Sequence, residues 1–424
     1  MPHTDLTTDF KAYAEQVMQR CETLGKISQS PDFVDRRYLT PEHKQANEQV
    51  SEWMRQTNMQ TWQDGAGNVW GRYLSPNKNA KSLLMGSHLD TVINGGKYDG
   101  MLGVVVPIAL VQALHTQRIT LPFNLDIVGF CDEEGTRFGS TLLGSRALTG
   151  QWHNNWADLC DEDGISLKRA MVDFGLDFEE VMQCKLSPSS LLAFIELHIE
   201  QGPVLEQKNL PTGIVSGIAG AKRLQFTITG MAGHAGTVPM DMRKDALICA
   251  SEMILSIESV AKANDIVATV GAISNKPNAV NVISGSTDFS LDIRSNNDAL
   301  RDEALADILR LCEQIANKRE LTLKYQITHS ASAVSCDESL IQGLCDATSA
   351  CNIEPLKLIS GAGHDAMAMA DLCPIAMLFT RCDKGISHHP AEAIQAEDVE
   401  ASLDVLFNFI THFQETQQAM EING

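Results

Sequence analysis

Short apolar runs alternate with helical repeats along most of the chain, and this alternation predicts an α/β fold. Strands that are apolar throughout are predicted at Leu83–Ser87, Phe123–Cys131, Ala193–Ile199 and Pro374–Thr380. Helices are predicted around them at about Thr40–Gln56, Gly103–His115, Leu167–Phe174 and Ala396–Glu415. Because such strands are buried on both faces, we expect a central, mostly parallel sheet with flanking helices.

The pattern changes in the middle of the chain, where apolar and polar residues alternate. This alternation predicts strands with one exposed face, interspersed with two long helices. The strands are expected at Arg223–Thr229, Ile266–Ile273 and Thr287–Ile293, and the helices at Asp241–Ala263 and Asn297–Lys318. We therefore predict a smaller α+β domain over residues 213–329, inserted between two parts of the main domain, 1–212 and 330–424.

Composition and charge narrow the class of partner. The chain has 424 residues, 44% of them hydrophobic, and a formal net charge of −21. A surface this acidic argues against nucleic acid or an anionic membrane as the partner and favours a small-molecule substrate. Eleven cysteines are scattered without a Cys-x-x-Cys pair, which is typical of reduced thiols and predicts a cytoplasmic protein.

Imidazole and carboxylate groups follow the predicted strands. His88 and Asp90 end the first strand, Asp99 lies in a glycine-flanked loop, and Glu133 and Glu134 follow the second strand. Since parallel strands gather their carboxyl ends at one edge, these groups are candidates for one site. Taken singly, each has a simpler interpretation: a strand-end histidine with a capping aspartate, a turn aspartate, and a solvated acidic pair.

More imidazoles occur at the later strands. Glu196, His198 and Glu200 alternate onto one face of the third strand, and His364 and the pair His388 and His389 lie in loops near the C-terminus. A lone histidine in an apolar strand is more often a hydrogen-bonded core residue than a metal ligand. So many such groups at predicted strand ends instead indicate a metal-dependent hydrolase.

These motifs, in this order, resemble those of the M20 metallopeptidase-like amidohydrolases, in the hydantoinase/carbamoylase branch. The resemblance covers nearly the whole chain and implies the same α/β fold with an inserted domain that serves as a lid and a dimerisation surface. The segments that carry it are His88–Asp90, Asp99–Gly100, Asp132–Gly135, Glu196–Gly202, Gly233–Thr237, Gly363–Ala366 and Gly385–His388.

The resemblance also implies two divalent metal ions, zinc or manganese, in each subunit. Asp99 would bridge them, His88 and His198 would complete one site, and Glu134 and His388 the other. His388 is preferred to its neighbour because it directly follows Ser387. The same resemblance makes Glu133 the general base and Asp90 the residue that orients His88.

A second set of residues would surround the substrate. The resemblance implies this role for Gln201, His234, Asn281, Arg294 and His364. Arg294 suits a carboxylate because its planar guanidinium can bind both oxygens, although a surface arginine is the simpler interpretation. His234 would stabilise the oxyanion, in its own subunit or across a homodimer.

The implied activity is hydrolysis of a ureido carbon–nitrogen bond, with allantoate as the expected substrate. N-carbamoyl-L-amino acids or β-ureidopropionate are the alternatives, and a binding protein without catalytic activity is a remote one. The chain departs from its relatives at Ser284, where they commonly carry proline beside Asn281. This position holds no expected ligand.

Overall fold

A computed structural model describes residues 9–422, with side chains for residues 9–413. The described chain forms two compact units, one made of the chain up to Ser216 and from Cys336 onward, the other of Gly217–Ser335. Among the described residues, no helix combines the length and the apolar character needed to cross a membrane. The lid and dimerisation roles expected for the second unit stay predictions.

Both units contain helices. The α-helices of the described chain are α1 Lys11–Gly25, α2 Pro41–Gln56, α3 Met101–Thr116, α4 Leu143–Thr149, α5 Leu167–Phe174, α6 Val204–Lys208, α7 Ala246–Ala263, α8 Asp298–Arg319, α9 Glu338–Ala350, α10 Ala366–Met369 and α11 Ala396–Ile422.

Strands form the sheets beneath these helices. They are β1 Gln60–Gln63, β2 Val69–Tyr73, β3 Ser82–His88, β4 Asn124–Phe130, β5 Leu191–Ile199, β6 Thr212–Ile218, β7 Gly220–Thr229, β8 Gly233–His234, β9 Val267–Thr269, β10 Ile273–Lys276, β11 Val282–Ile283, β12 Ser286–Ser295, β13 Thr322–Ala331, β14 Val334–Ser335, β15 Lys357–Ser360 and β16 Ile375–Thr380.

Four parallel strands form the middle of the main sheet, whose order is β1-β2-β4-β3-β5-β16-β6-β14, with β15 also paired to β6. β4, β3, β5 and β16 run parallel, whereas β1, β2 and β6 are antiparallel to their neighbours. The apolar helix α3 packs on β3, β4 and β5. Because parallel strands end at the same edge, the segments that follow His88, Phe130, Ile199 and Thr380 meet there.

The second unit is built on an antiparallel sheet of order β10-β12-β7-β13, with β9 also paired to β12. Every second residue of β12 is buried, as its alternating sequence predicts. Its buried face packs with apolar residues of α7 and α8 in one core. A separate two-stranded ribbon joins β8 to β11.

Two of the predicted boundaries in this unit are wrong. The strand predicted over Ile266–Ile273 is divided into β9 and β10. Thr269 pairs with Asp292 and Ile273 with Phe289. Between these two pairs the β9–β10 segment has one residue more than β12, which is a β-bulge. The helix predicted from Asp241 begins at Ala246, because the side chain of Asp245 caps it by accepting from the amides of Leu247 and Ile248.

Candidate metal centre

The predicted ligand residues meet at the carboxyl edge of the main sheet. His88 is the last residue of β3, and His198 lies one residue before the end of β5. Glu134 follows β4, and His388 lies in the segment after β16. Asp99 comes from the loop that leads into α3. The structure therefore brings together five side chains from distant parts of the sequence.

Asp99 lies at the centre of this group, and its two carboxylate oxygens face different partners. Oδ1 is 3.1 Å from Nε2 of His198 and 3.5 Å from Nε2 of His88. Oδ2 is 3.2 Å from Nε2 of His388, and the same nitrogen is 3.4 Å from Oε1 of Glu134. One carboxylate can thus contribute an oxygen to each of two adjacent ions.

Among the residues that the structure describes, three overlapping groups have ligand atoms close enough to hold an ion. Within each, the donor atoms lie within 4.8 Å of one another: His88 with Asp99 and His198, Asp99 with Glu134 and His388, and His88 with Glu133 and Glu134. The first two groups share Asp99 and match the two sites that the resemblance implies. A donor set of imidazole nitrogens and carboxylate oxygens suits zinc or manganese.

Unpaired buried atoms give a second sign that the site fits a cation. Within the described residues, Oδ1 of Asp99 and Nε2 of His198 are buried and form no hydrogen bond of good geometry, although they lie 3.1 Å apart. Buried polar atoms nearly always have a partner. Two buried ligand atoms without a hydrogen-bond partner are expected where both atoms coordinate a metal ion.

Gly100 permits the close approach of the Asp99 loop to His88. A Cβ atom at residue 100 would lie 2.5 Å from the imidazole of His88, and the backbone has a φ of +77°. Both conditions favour glycine. The loop can therefore carry Asp99 against the end of β3 only with glycine at this position.

Asp90 organises the backbone of the two glutamates. Its carboxylate accepts from the amide of Glu133 at 3.0 Å and from the amide of Glu134 at 3.1 Å. Nδ1 of His88 is 2.9 Å from the backbone oxygen of Asp90 and 3.6 Å from its carboxylate. The orienting contact to His88 thus comes from the Asp90 backbone, and the carboxylate holds the glutamate loop.

Negative charge dominates the centre. Burial opposes ionisation of Asp99, but close contacts with the surrounding imidazoles, led by His198, hold its pKa well below the usual value. Burial, and then the charge of Glu134, raises the pKa of Glu133 well above its usual value. Burial, and then the charge of Asp99, raises the pKa of Glu134 to about 7. Carboxylates crowded in this way favour a bound cation, which offsets their repulsion.

The two neighbouring histidines near the C-terminus have different surroundings. His388 belongs to one of the candidate metal groups, and its hydrogen bond with Asp99 raises its pKa to about 9. Its backbone has a φ of +54°, a conformation that is uncommon outside glycine. His389 is exposed, and its Nδ1 accepts from the amide of Ala391. The geometry therefore favours His388 as the ligand.

Two of the expected substrate residues lie in the main unit. Nε2 of Gln201 is 2.8 Å from Oδ2 of Asp99 and 3.4 Å from Nε2 of His388, so this amide lies at the second group of ligands. His364 is buried, its ring lies 4.5 Å from that of His198, and its Nε2 is 2.7 Å from the hydroxyl of Ser360. Burial, and then the charge of His198, lowers the pKa of His364 well below its usual value, so its imidazole is neutral.

The other three substrate candidates lie in the second unit. His234 and Asn281 are neighbours on the two-stranded ribbon: His234 pairs with Val282, and the amide of Ala235 donates to the backbone oxygen of Asn281. His234 and Asn281 are both exposed. Arg294 lies on β12 and donates from Nε and Nη2 to the carboxylate of Asp292.

Ser284 replaces the expected proline with a polar contact. Its side chain is buried, and its hydroxyl meets the amide oxygen of Asn275 and, at 3.1 Å, the hydroxyl of Thr287. Its backbone oxygen accepts from the amide of Ala246 at the start of α7. Hydrogen bonds therefore hold the turn after Asn281.

Two supporting residues had no role assigned from the sequence. Glu196 is fully buried and accepts from the hydroxyl of Ser87 at 2.7 Å and from the amide of Ala366 at 2.9 Å, so it ties β3 and α10 to β5. The sequence feature that could have indicated this role is its alternation with His198 along β5. The hydroxyl of Ser387 lies 2.7 Å from Oδ2 of Asp99. By contrast, Glu200 turns away and caps α6 through the amides of residues 204 and 205.

The chain is similar to known hydrolases over most of its length. Residues 84–412 match peptidase family M20/M25/M40. The chain is 40% identical to allantoate deiminase of Arabidopsis thaliana in an alignment 428 positions long, which covers 93% of this chain and 82% of that protein. It is 38% identical to N-carbamoyl-L-amino acid amidohydrolase of Geobacillus stearothermophilus over 398 residues, covering 93% and 97% of the two chains.

A solved structure has the same fold. The crystal structure of an amidase of the hydantoinase/carbamoylase family from Burkholderia multivorans superposes with a TM-score of 0.88 at 28% identity, covering 94% of this chain and 97% of that one. A mostly parallel α/β sheet with imidazoles and carboxylates at one edge is typical of metal-dependent hydrolases. The chain belongs to peptidase family M20/M25/M40, which confirms the family resemblance and the predicted fold class.

Proposed function

We propose that the chain is a dinuclear metal-dependent amidohydrolase that cleaves a ureido carbon–nitrogen bond of allantoate. The observation that carries the proposal is the position of Asp99, whose two oxygens face different ligand atoms. One set belongs to His88 and His198, the other to Glu134 and His388. We propose zinc or manganese as the ions, since both accept mixed imidazole and carboxylate ligands.

The ions and Glu133 have different roles in the reaction. A pair of divalent cations, when bound, supplies a water of lowered pKa and stabilises negative charge on oxygen. Glu133 is the general base: it takes a proton from the water and returns it to the departing nitrogen. One water is consumed, carbon dioxide and ammonia leave, and an amine stays on the substrate. His234 stabilises the oxyanion, from its own subunit or the partner's.

The substrate carboxylate is assigned to Arg294. Its guanidinium presents two N–H groups in one plane, which matches the geometry of a carboxylate, and it already holds the carboxylate of Asp292 in this way. Allantoate carries one carboxylate and two ureido groups on a single carbon. Gln201, Asn281 and His364 are assigned to the ureido groups, because amides and imidazoles supply both donors and acceptors.

Allantoate is expected to be turned over with a kcat/KM at least about tenfold above that of any N-carbamoyl-L-amino acid, the discrimination that one or two pocket contacts give. The measurement is a substrate panel with the purified chain and added Mn²⁺ or Zn²⁺, detecting released ammonia and the amine product. A Glu133→Gln preparation purified in the same way controls for contaminating enzymes. Turnover of N-carbamoyl-L-amino acids alone would reject the allantoate assignment.

N-carbamoyl-L-amino-acid hydrolysis is the second candidate. It is supported by the 38% identity to the Geobacillus enzyme, of which the matched segment covers 97%. The candidate metal ligands and Glu133 serve either reaction, because both substrates present a ureido carbonyl beside a carboxylate. The same substrate panel decides between them.

We also propose that the second unit forms a homodimer. Ile248 and Leu255 are seven residues apart on one face of α7, and their exposed fractions are 47% and 67%. Val267 on β9 is 63% exposed. In the described chain β9 pairs with β12 on one side, so its other edge is open to a second copy.

Leu255→Glu is expected to weaken this dimer by at least about tenfold, because a charge replaces an apolar side chain at the contact. Sedimentation velocity over a range of concentrations measures the change. Leu74→Glu is the matched control, since Leu74 is 52% exposed and lies in the first unit. A wild-type monomer, or a Leu255→Glu dimer of unchanged affinity, would contradict the proposal.

We infer that the enzyme works in the cytoplasm. All eleven cysteines are free, and most of them are buried or partly buried. A reducing compartment keeps thiols in this state. The formal charge of −21 supports a small-molecule substrate, without nucleic acid or an anionic membrane as partner.

A further inference from the structure

Glu392 is a buried carboxylate that lies directly behind Asp99. Glu392 is only 4% exposed. Its Oε1 accepts from the backbone amide of Tyr98 at 2.7 Å and from that of Asp99 at 3.1 Å. These contacts join positions almost three hundred residues apart in the sequence. The backbone that carries the proposed bridging carboxylate is therefore held by a side chain from the C-terminal part of the chain.

The second oxygen of Glu392 meets the loop that carries His388. Its Oε2 is 2.9 Å from the hydroxyl of Ser387, and the same hydroxyl is 2.7 Å from Oδ2 of Asp99. A serine hydroxyl has one proton to donate, so it can satisfy only one of the two carboxylates at a time. Ser387 thus links both carboxylates and lies directly before His388.

The sequence leaves room for this contact at Gly96. A Cβ atom there would lie 2.4 Å from Oε1 of Glu392 and 2.5 Å from its Cβ. Any other residue would displace the carboxylate from the amides of Tyr98 and Asp99. The close packing of Gly96 is an observation independent of the hydrogen bonds.

The two halves of the centre differ in what supports them. His88 and His198 lie on the central strands β3 and β5 and are buried. His388 lies in a loop with a φ of +54°, and its side chain is 49% exposed. A loop residue in an uncommon backbone conformation needs tertiary contacts to stay in place.

We propose that Glu392 is a positioning residue that fixes Asp99 and His388 relative to each other and so sets the affinity of the ion held by Asp99, Glu134 and His388. The inference rests on the proposed dinuclear function. It goes beyond that function because it assigns the geometry of one of the two sites to a residue that is not a ligand.

The test is calorimetric titration of the metal-free protein with Mn²⁺, supported by metal analysis after dialysis. Wild type is expected to bind two ions. In Glu392→Ala the ion held by Asp99, Glu134 and His388 should bind about 10–100-fold more weakly, as for other residues that support metal ligands. The ion held with His88 and His198 should lose less affinity, because these two ligands lie on central strands. Glu392→Gln should lose less affinity for the first of these ions, because its side-chain oxygen still accepts from the backbone amides of Tyr98 and Asp99. Glu397→Gln, which removes an exposed charge at the start of α11, should match wild type.

Several results would overturn the inference. Two ions bound by Glu392→Ala with wild-type affinity would do so, and so would equal weakening of both ions together with a lower metal-free melting temperature, which indicates a general structural role. Should Glu392→Ala fail to fold by circular dichroism, Ser387→Ala provides the same test and should weaken one ion selectively; unchanged binding there also overturns it. A wild-type chain that binds no Mn²⁺ or Zn²⁺ would instead reject the proposed function.

Discussion

Glu133→Gln is expected to lower kcat by about 10²–10⁴-fold while both metal ions stay bound. The amide has the size of the carboxylate but cannot take a proton from water. The backbone of Glu133 is held by Asp90 through its amide, so the substitution should leave the loop in place. Steady-state kinetics on allantoate and metal analysis of the same preparation measure the two quantities.

Glu134→Gln is the matched control for this prediction. It makes the same substitution at the adjacent residue, whose Oε1 lies 3.4 Å from Nε2 of His388. We expect this variant to lose affinity for one ion, whereas Glu133→Gln does not. Unchanged turnover in Glu133→Gln would remove it from the role of general base. Loss of an ion in that variant would instead make it a ligand, through the group that it forms with His88 and Glu134.

Asp99→Asn is expected to weaken binding of both ions, each by more than about 100-fold, which exceeds the effect of changing a supporting residue. The reason is geometric, because Oδ1 faces His88 and His198 while Oδ2 faces His388. Turnover should fall to background. Because bound metal stabilises the folded state, added Mn²⁺ or Zn²⁺ should raise the melting temperature of wild type and leave that of the variant unchanged.

His198→Gln provides the comparison for Asp99→Asn. His198 belongs to only one of the two groups that contain Asp99, so its substitution should weaken one ion and spare the other. If Asp99→Asn also weakened a single ion, the carboxylate would belong to one site and would not bridge two. Calorimetric titration separates these outcomes directly.

Local sequence signals were sufficient for the elements that support the site. The strands β3, β4, β5 and β16 were predicted to within a few residues, because a buried parallel strand is apolar along its whole length. The helix α5 was predicted at its observed bounds. Ser166 caps its start by accepting from the amide of Arg169, and Gly175 ends it with a φ of +100°.

Errors arose where the partner strand decides the conformation. The run Ile266–Ile273 has the alternation of one strand, yet it is divided by a bulge opposite Ser290. The amide of Ala272 donates to the hydroxyl of Ser290, and its backbone oxygen accepts from the amide of that residue. The extra residue is a property of the pairing with β12, so the sequence of the run alone could not reveal it.

The sequence by itself determined the fold class and the family and indicated candidate ligand residues, because apolar runs, turn residues and motif order are local features of the chain. Only the tertiary structure decided how these residues meet: which oxygen of Asp99 faces which imidazole, that His388 lies against Asp99 and Glu134, and that Glu392 lies behind Asp99. Such contacts join residues up to 294 positions apart and depend on the packing of loops at one sheet edge. Local composition does not encode that packing.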